Sequence, residues 1–170
     1  MAKCATLSSF TIDLCKGSLG GIKKVYIADW QNGAATLDEQ TKEITGFTTG
    51  VTFTEFPIRK NTGSYTSTIN VSDENGNSVS TVLSLVFSRM ETAKRLAMNA
   101  LMVSDFMCIV EDANGNQVFL GYDNPVVCSD GGGETGVAKT DGNRYTISLT
   151  DDSVEFPYFI KAGTNIPTTA

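Results

Sequence analysis

From Ser64 to Phe87 apolar and polar residues alternate on both sides of a short polar stretch, the period-2 pattern of two strands joined by a turn. On the first arm Tyr65, Ile69 and Val71 point one way, and Thr66, Thr68 and Asn70 point the other. On the second arm Val79, Leu83, Leu85 and Phe87 share a face that includes Thr81. Ser78, Ser80 and Ser84 share the opposite face with Val82 and Val86. Each arm runs about nine residues, against a usual strand length of about five or six. The two arms predict a long β-hairpin.

Further strand patterns cover 22–27, 48–58, 106–111, 117–122, 145–150 and 154–160, with Pro57 marking an edge or a bend. Asn-Gly or Asp-Gly pairs at Asn32-Gly33, Asn75-Gly76, Asn114-Gly115 and Asp141-Gly142 supply turn chemistry. Many short strands at this spacing predict a mainly β fold, a β-sandwich or barrel. One segment has helical period. Ser88-Arg-Met-Glu91 has the form of a capping box, and Ala93, Leu96, Ala97, Ala100 and Leu101 then fall on one face. The expectation is one helix over 88–103, packed on a sheet by that face, with Lys94 and Arg95 on the other side. The chain reads as a single domain over 1–170, with an N-terminal arm over 1–20, the protruding hairpin over 64–87 and a polar C-terminal arm over 161–170.

Composition narrows the chemistry. The chain has 170 residues, of which 41% are apolar and 19% charged, enough to build a core rather than a disordered tail. A net charge of −6 argues against gripping nucleic acid by neutralising phosphates. No run approaches the length of a membrane span, and the first residues lack the apolar centre of a signal peptide. With no histidine and no C-x-x-C among Cys4, Cys15, Cys108 and Cys128, neither a zinc site nor a His-based triad is expected. The cysteines read as buried thiols.

Two motifs come close to ligand sites and fail. In Gly131-Gly-Gly-Glu-Thr-Gly-Val-Ala-Lys-Thr140 the glycine separation suits a phosphate loop. Val137 stands where the lysine belongs, and a turn and strand follow instead of a helix. The stretch reads as a flexible surface loop that orders against a neighbour. Asp112, Asn114 and Asn116 begin like a calcium loop, but Gln117 and Asp123 occupy the positions of its glycine and bidentate glutamate. The acidic pairs Asp73-Glu74, Glu111-Asp112 and Asp151-Asp152 sit at turns or strand ends, where solvated charge is expected. No cofactor, metal or catalytic group is expected, so an enzyme or small-molecule binder is the weakest reading.

The hairpin is the informative feature. Thr66, Thr68, Asn70, Ser78, Ser80, Val82 and Ser84 form a face of short side chains without a full charge, where exposed long strands usually carry Lys and Glu. Either this is the outer face of an ordinary sandwich hairpin, or the hairpin joins its neighbours across a ring and lines a channel that a polyanion passes without sticking.

Three phrases bear on that choice: Arg59-Lys-Asn-Thr-Gly-Ser-Tyr-Thr-Ser-Thr-Ile-Asn-Val71, Leu83-Ser-Leu-Val-Phe-Ser-Arg-Met-Glu-Thr-Ala-Lys-Arg95, and Glu111-Asp-Ala-Asn-Gly-Asn-Gln-Val-Phe-Leu-Gly121. With Gly133-Glu-Thr-Gly136 and Asp141-Gly-Asn-Arg-Tyr145, they resemble structural proteins of tailed bacteriophages of the Bacteroides type, over roughly residues 20–160. Within that group the layout resembles a tail tube protein. The resemblance implies a β-sandwich with one packed helix, and a long hairpin building the inner wall of stacked, usually hexameric rings. It implies self-contacts within and between rings, contacts with other tail or head-tail proteins, DNA passing without specific binding, no membrane anchor and a place in the virion tail after assembly in the host cytoplasm. The loop from Gly33 to Gly46, rich in Thr, Glu and Lys, would then reach the next ring. A capsid decoration protein or a head-tail ring adaptor stays open as the alternative.

Overall fold

The computed structural model describes residues 9–12, 15, 17–72 and 76–169. Among these the chain forms eleven strands and one α-helix. In chain order they are β1 (Ile22–Asp29), β2 (Ala35–Asp38), β3 (Glu43–Phe47), β4 (Thr54–Phe56), β5 (Ser64–Asn70), β6 (Ser78–Ser88), α1 (Thr92–Val103), β7 (Phe106–Asp112), β8 (Gln117–Leu120), β9 (Val127–Glu134), β10 (Arg144–Ser153) and β11 (Tyr158–Ile160). The fold is mainly β, as the alternation predicts. Two sheets result, one in the order β2-β3-β11-β8-β7-β1-β4 and one in the order β5-β6-β10-β9.

The main core lies between the sheets. Val25 and Ile27 of β1, Cys108 and Val110 of β7 and Leu120 of β8 meet Leu83, Leu85 and Phe87 of β6 and Ile147 and Leu149 of β10. A second core lies on the other side of the larger sheet, where Tyr26, Met107, Ile109 and Phe119 pack with Ile44, Val51, Phe53 and Ile160. The two cores explain two sequence patterns. β7 reads Phe-Met-Cys-Ile-Val without alternation because both of its faces are buried. β6 alternates strictly because only one face is covered.

The predicted hairpin forms, with Thr66 opposite Val82, Thr68 opposite Ser80 and Asn70 opposite Ser78. Residues 73–75 of its turn lie outside the described residues. Its far end reaches past the core, since Ile69 is 54% exposed although it points to the apolar side.

Four expectations change. Gly33–Gly46 is not a free loop. It contains the β2–β3 hairpin, held in the larger sheet where β11 runs parallel to β3. Gly131–Gly133 are not a loop either, but lie inside β9 and pair with β10. The 48–58 strand shortens to β4, because Val51 and Phe53 turn into the second core and Pro57 has no amide for a ladder. The C-terminal arm folds back. Phe53 N–H donates to Pro167 O at 2.7 Å, and Thr169 N–H donates to Phe53 O at 2.9 Å. In the N-terminal arm the described Phe10, Ile12 and Leu19 are exposed, and the Leu19 backbone donates to Asn114 Oδ1 and accepts from Asn114 Nδ2. Residues 1–8, with Cys4, lie outside the described residues. Among the described residues no helix is long and apolar enough to cross a membrane.

Candidate assembly surface

Residues directly opposite each other in an antiparallel pair share a face. The register therefore extends the hairpin's hydroxyl face across the whole smaller sheet. Ser84 pairs with Ser148, Val86 with Thr146, Val82 with Thr150 and Ser80 with Asp152. On β9, Asp130 pairs with Ser148 and Gly132 with Thr146. Thr66, Thr68, Asn70, Ser78, Ser80, Val82 and Ser84 thus stand on one solvent-facing surface with Thr146, Ser148 and Thr150. The hydroxyls are close enough to meet across strands, as Ser84 Oγ and Ser148 Oγ do at 3.4 Å. Charge is confined to the margins. Arg144 and Glu134 pair with each other at one end, Asp152 lies at the other, and Asp130 sits on the edge strand. The hairpin alone showed half of this surface in the sequence; the alternation of Thr146, Ser148 and Thr150 with Ile147 and Leu149 carries the other half.

The covered side of the sheet contains one polar row. Ser67 Oγ and Thr81 Oγ1 hydrogen-bond at 2.7 Å, and Thr81 pairs in register with Asp151. Asp151 is only 3% exposed. Its Oδ2 accepts the Gly121 amide at 3.1 Å, while Oδ1 has no hydrogen-bond partner. Burial first, then the nearby Asp152 and Asp123 carboxylates, push its carboxyl up to about 6, against the opposing pull of the Gly121 amide. Gly121 also accepts the Trp30 indole N–H at 3.0 Å. Its φ of 92° and the Met107 backbone, 3.1 Å from where a Cβ would stand, leave room for glycine alone. The sequence reading placed Asp151 among solvated acids. The structure buries it, because Asp151 continues the inward alternation of Ile147 and Leu149.

The two edges of the sheet differ. β5 presents one edge of Ser and Thr residues. β9 presents the other, with three consecutive glycines, of which Gly133 lies against the Tyr145 ring. A Cβ at Gly133 would stand 2.9 Å from the Tyr145 ring and from Met90 Cε. Among the described residues neither strand has a partner on its outer edge. Open edges of this length invite pairing with another chain.

The helix starts later and sits rotated from the expected face. Ser88 ends β6 instead of capping, because β6 stays paired with β10 as far as Arg144. Glu91 is the N-cap residue and makes no side-chain capping bond. Leu101 is buried as expected, and Ala97 is half-buried. Ala93 and Ala100 are exposed, and Leu96 is 58% exposed. The covering face runs through Lys94, Ala97, Met98 and Leu101. The Lys94 stem is drawn inward because its ammonium donates to Ser88 O at 2.6 Å. Leu96, Met102 and Val103 are left exposed.

The remaining sequence candidates resolve as local structure. Asp112 Oδ1 accepts the amides of Asn114 and Asn116, both at 2.8 Å, so that oxygen shapes a turn. Of the described cysteines, Cys108 is buried, Cys128 half-buried and Cys15 exposed, so the expectation of buried thiols holds only for Cys108. Burial raises the Cys108 thiol far above its usual range, which leaves it inert as a nucleophile. No protein-family model matches the chain, and no curated protein matches it.

Proposed function

We propose that this chain is a structural protein of a bacteriophage tail that self-assembles into stacked rings, with the outer face of the smaller sheet lining a channel for DNA. The observation that carries the reading is the Ser- and Thr-rich surface across β5, β6 and β10 of a four-stranded sheet whose two edges have no partner among the described residues. Joining β5 of one copy to β9 of the next is a heterologous contact, which closes into a ring when the rotation allows. A wall of neutral hydroxyls in a chain of net charge −6 gives phosphates nothing to hold, so DNA slides instead of binding. The resemblance to tail tube proteins points the same way, as does the hairpin end that reaches beyond the core.

The exposed Leu96, Met102 and Val103 on α1 favour a second reading, a head-tail adaptor or capsid decoration protein that docks this helix on another virion protein. Electron microscopy of the purified protein in negative stain, over a rising concentration series, separates the two. Rings or tubes with a central channel support the first reading. Compact monomers at every concentration support the second.

A further inference from the structure

Gly131 and Gly133 stand opposite Ile147 and Tyr145, so both positions belong to the covered face of the smaller sheet. At the same levels on the other side of β10, β6 fills that face with Leu85 and Phe87. On β9 no side chain projects there. The Tyr145 ring takes up the space at Gly133, and the rest is an open cleft of about 420 Å³ between β9 and α1. Ile147 and Tyr145 line it with Met98 and Met102 of α1 and Cys128 of β9. It is mostly apolar, and its methionines can adapt their shape to whatever enters.

The opposite edge of the sheet has the reverse character. Ile69 of β5 is on the covered face as the register partner of Val79, and Val71 follows two positions on. Their own chain leaves them 54% and 75% exposed. A strand added to an open edge keeps the pleat, so β5 of a second copy laid on β9 turns Ile69 and Val71 to the side on which the cleft opens. The strands of this sheet all pair antiparallel, and β5 on β9 continues that order. Through Val79, Ile69 is level with Ser153, six residues or about 20 Å beyond Ile147 on β10. A closed sheet offsets its copies. Strands tilted by about 35–45° shift each four-stranded unit, ~19 Å wide, by about 13–19 Å along the strands. One sense of that offset carries Ile69 away from β9. The other brings it to the stretch between Cys128 and Gly131, with Val71 close behind.

We propose that the cleft between α1 and β9 is a receiving pocket for Ile69 and Val71 of a second copy. This rests on the ring-forming reading above and names the side chains that anchor its contact. The side chains missing from β9 and the surplus ones on β5 are two halves of one apolar core, which α1 closes from the covered side. The occupant is a second copy because pocket and knobs lie on opposite edges of one sheet and on the same face of it.

The test is a cysteine crosslink in the full chain. With Cys4 and Cys15 replaced by Ser, and Cys108 buried, Cys128 is the native thiol within reach. Ile69→Cys, Val71→Cys and Asn70→Cys are made separately in that chain, checked for folding by circular dichroism, oxidised mildly and run on non-reducing gels. Ile69→Cys or Val71→Cys should give at least about tenfold more reducible intermolecular adduct than Asn70→Cys, which faces the hydroxyl side, since a disulfide needs Cα atoms within ~7 Å. Adding Cys128→Ser should abolish the adduct. Ile69→Asp, which sets a charge in the apolar cleft, should cut the rings seen in negative stain at least about tenfold. Adducts no stronger than with Asn70→Cys, adducts that survive Cys128→Ser, or Ile69→Asp rings at the wild-type level overturn the proposal, while wild-type rings leave the ring reading intact. If the wild type forms no rings, the ring reading fails, and the crosslinks at the same concentration still decide the inference: adducts that depend on Cys128 uphold the pocket, and their absence overturns it.

Discussion

Asp151 on β10 and Gly121 at the end of β8 are joined by a 3.1 Å hydrogen bond that crosses from one sheet to the other. Gly121 is fixed in turn by Trp30, so a contact between three strands depends on a carboxyl with one unpartnered oxygen. The folded state holds this proton more tightly than the unfolded chain does. The group's contribution to stability is therefore greatest when it is protonated, and is lost as pH rises from about 4 through about 6. Raising the carboxyl from 3.8 to about 6 corresponds to ~3 kcal/mol at neutral pH. Asp151→Asn, which keeps the shape without the charge, should raise the melting temperature at pH 7 and leave it nearly unchanged at pH 4. Thermal denaturation of both forms across pH 4–8 measures this. Parallel curves for the two proteins contradict it.

Tyr145 lies over Gly133 with no room for a Cβ, whereas a Cβ at Gly132 would meet nothing within 4 Å. Gly133→Ala should destabilise the protein by about 1–3 kcal/mol through displacement of the ring. Gly132→Ala, on the open face, should be neutral or slightly stabilising. Chemical denaturation of the two variants compares them directly, and equal effects would remove the close-packing explanation for the glycine run.

The rotation of α1 predicts unequal effects from two leucines that looked equivalent in the sequence. Leu101 is 2% exposed, and its replacement by Ala should cost ~2–5 kcal/mol. Leu96→Ala should stay within about 0.5 kcal/mol in the isolated chain, since the side chain is mostly in solvent. A loss at Leu96 equal to that at Leu101 would restore the face read from the sequence.

Lysine at Thr68 and Ser80 places two cations side by side on the hydroxyl surface, since these residues are register partners. In an assembled virion this should slow DNA ejection or block assembly, and infectivity measured by plaque count should fall. Normal infectivity with both lysines in place counts against the channel assignment.

The sequence made the one-sided strands plain and hid the rest for physical reasons. β6 could be read residue by residue because water covers one face and core the other. β7 was recognisable as a strand, but not as the wall between two cores, because a run buried on both sides has no period. β9 was misread because three glycines imply freedom in isolation, and the Tyr145 ring that needs a glycine at Gly133 comes from the neighbouring strand. β2 and β3 were read as a loop because their Thr, Glu and Lys residues suggest solvent, while their pairing is fixed by the distant β11. On α1 the expected face held Ala93, Leu96, Ala97, Ala100 and Leu101, and Lys94 was assigned outward, although its stem lies inward and turns the packed face toward Met98. Asp151 followed the same alternation as its strand, but a carboxylate at a strand end argued for solvent until Gly121 was seen to meet it.

A cryo-electron-microscopy reconstruction of the assembled protein tests the central claim most directly, because it shows which surface faces the axis. The account predicts a closed ring in which β5 of one copy pairs with β9 of the next, with Thr66, Thr68, Ser80, Ser84 and Ser148 facing a central channel. A ring with this sheet on its outside, or one closed through α1 with both edges unpaired, would contradict it.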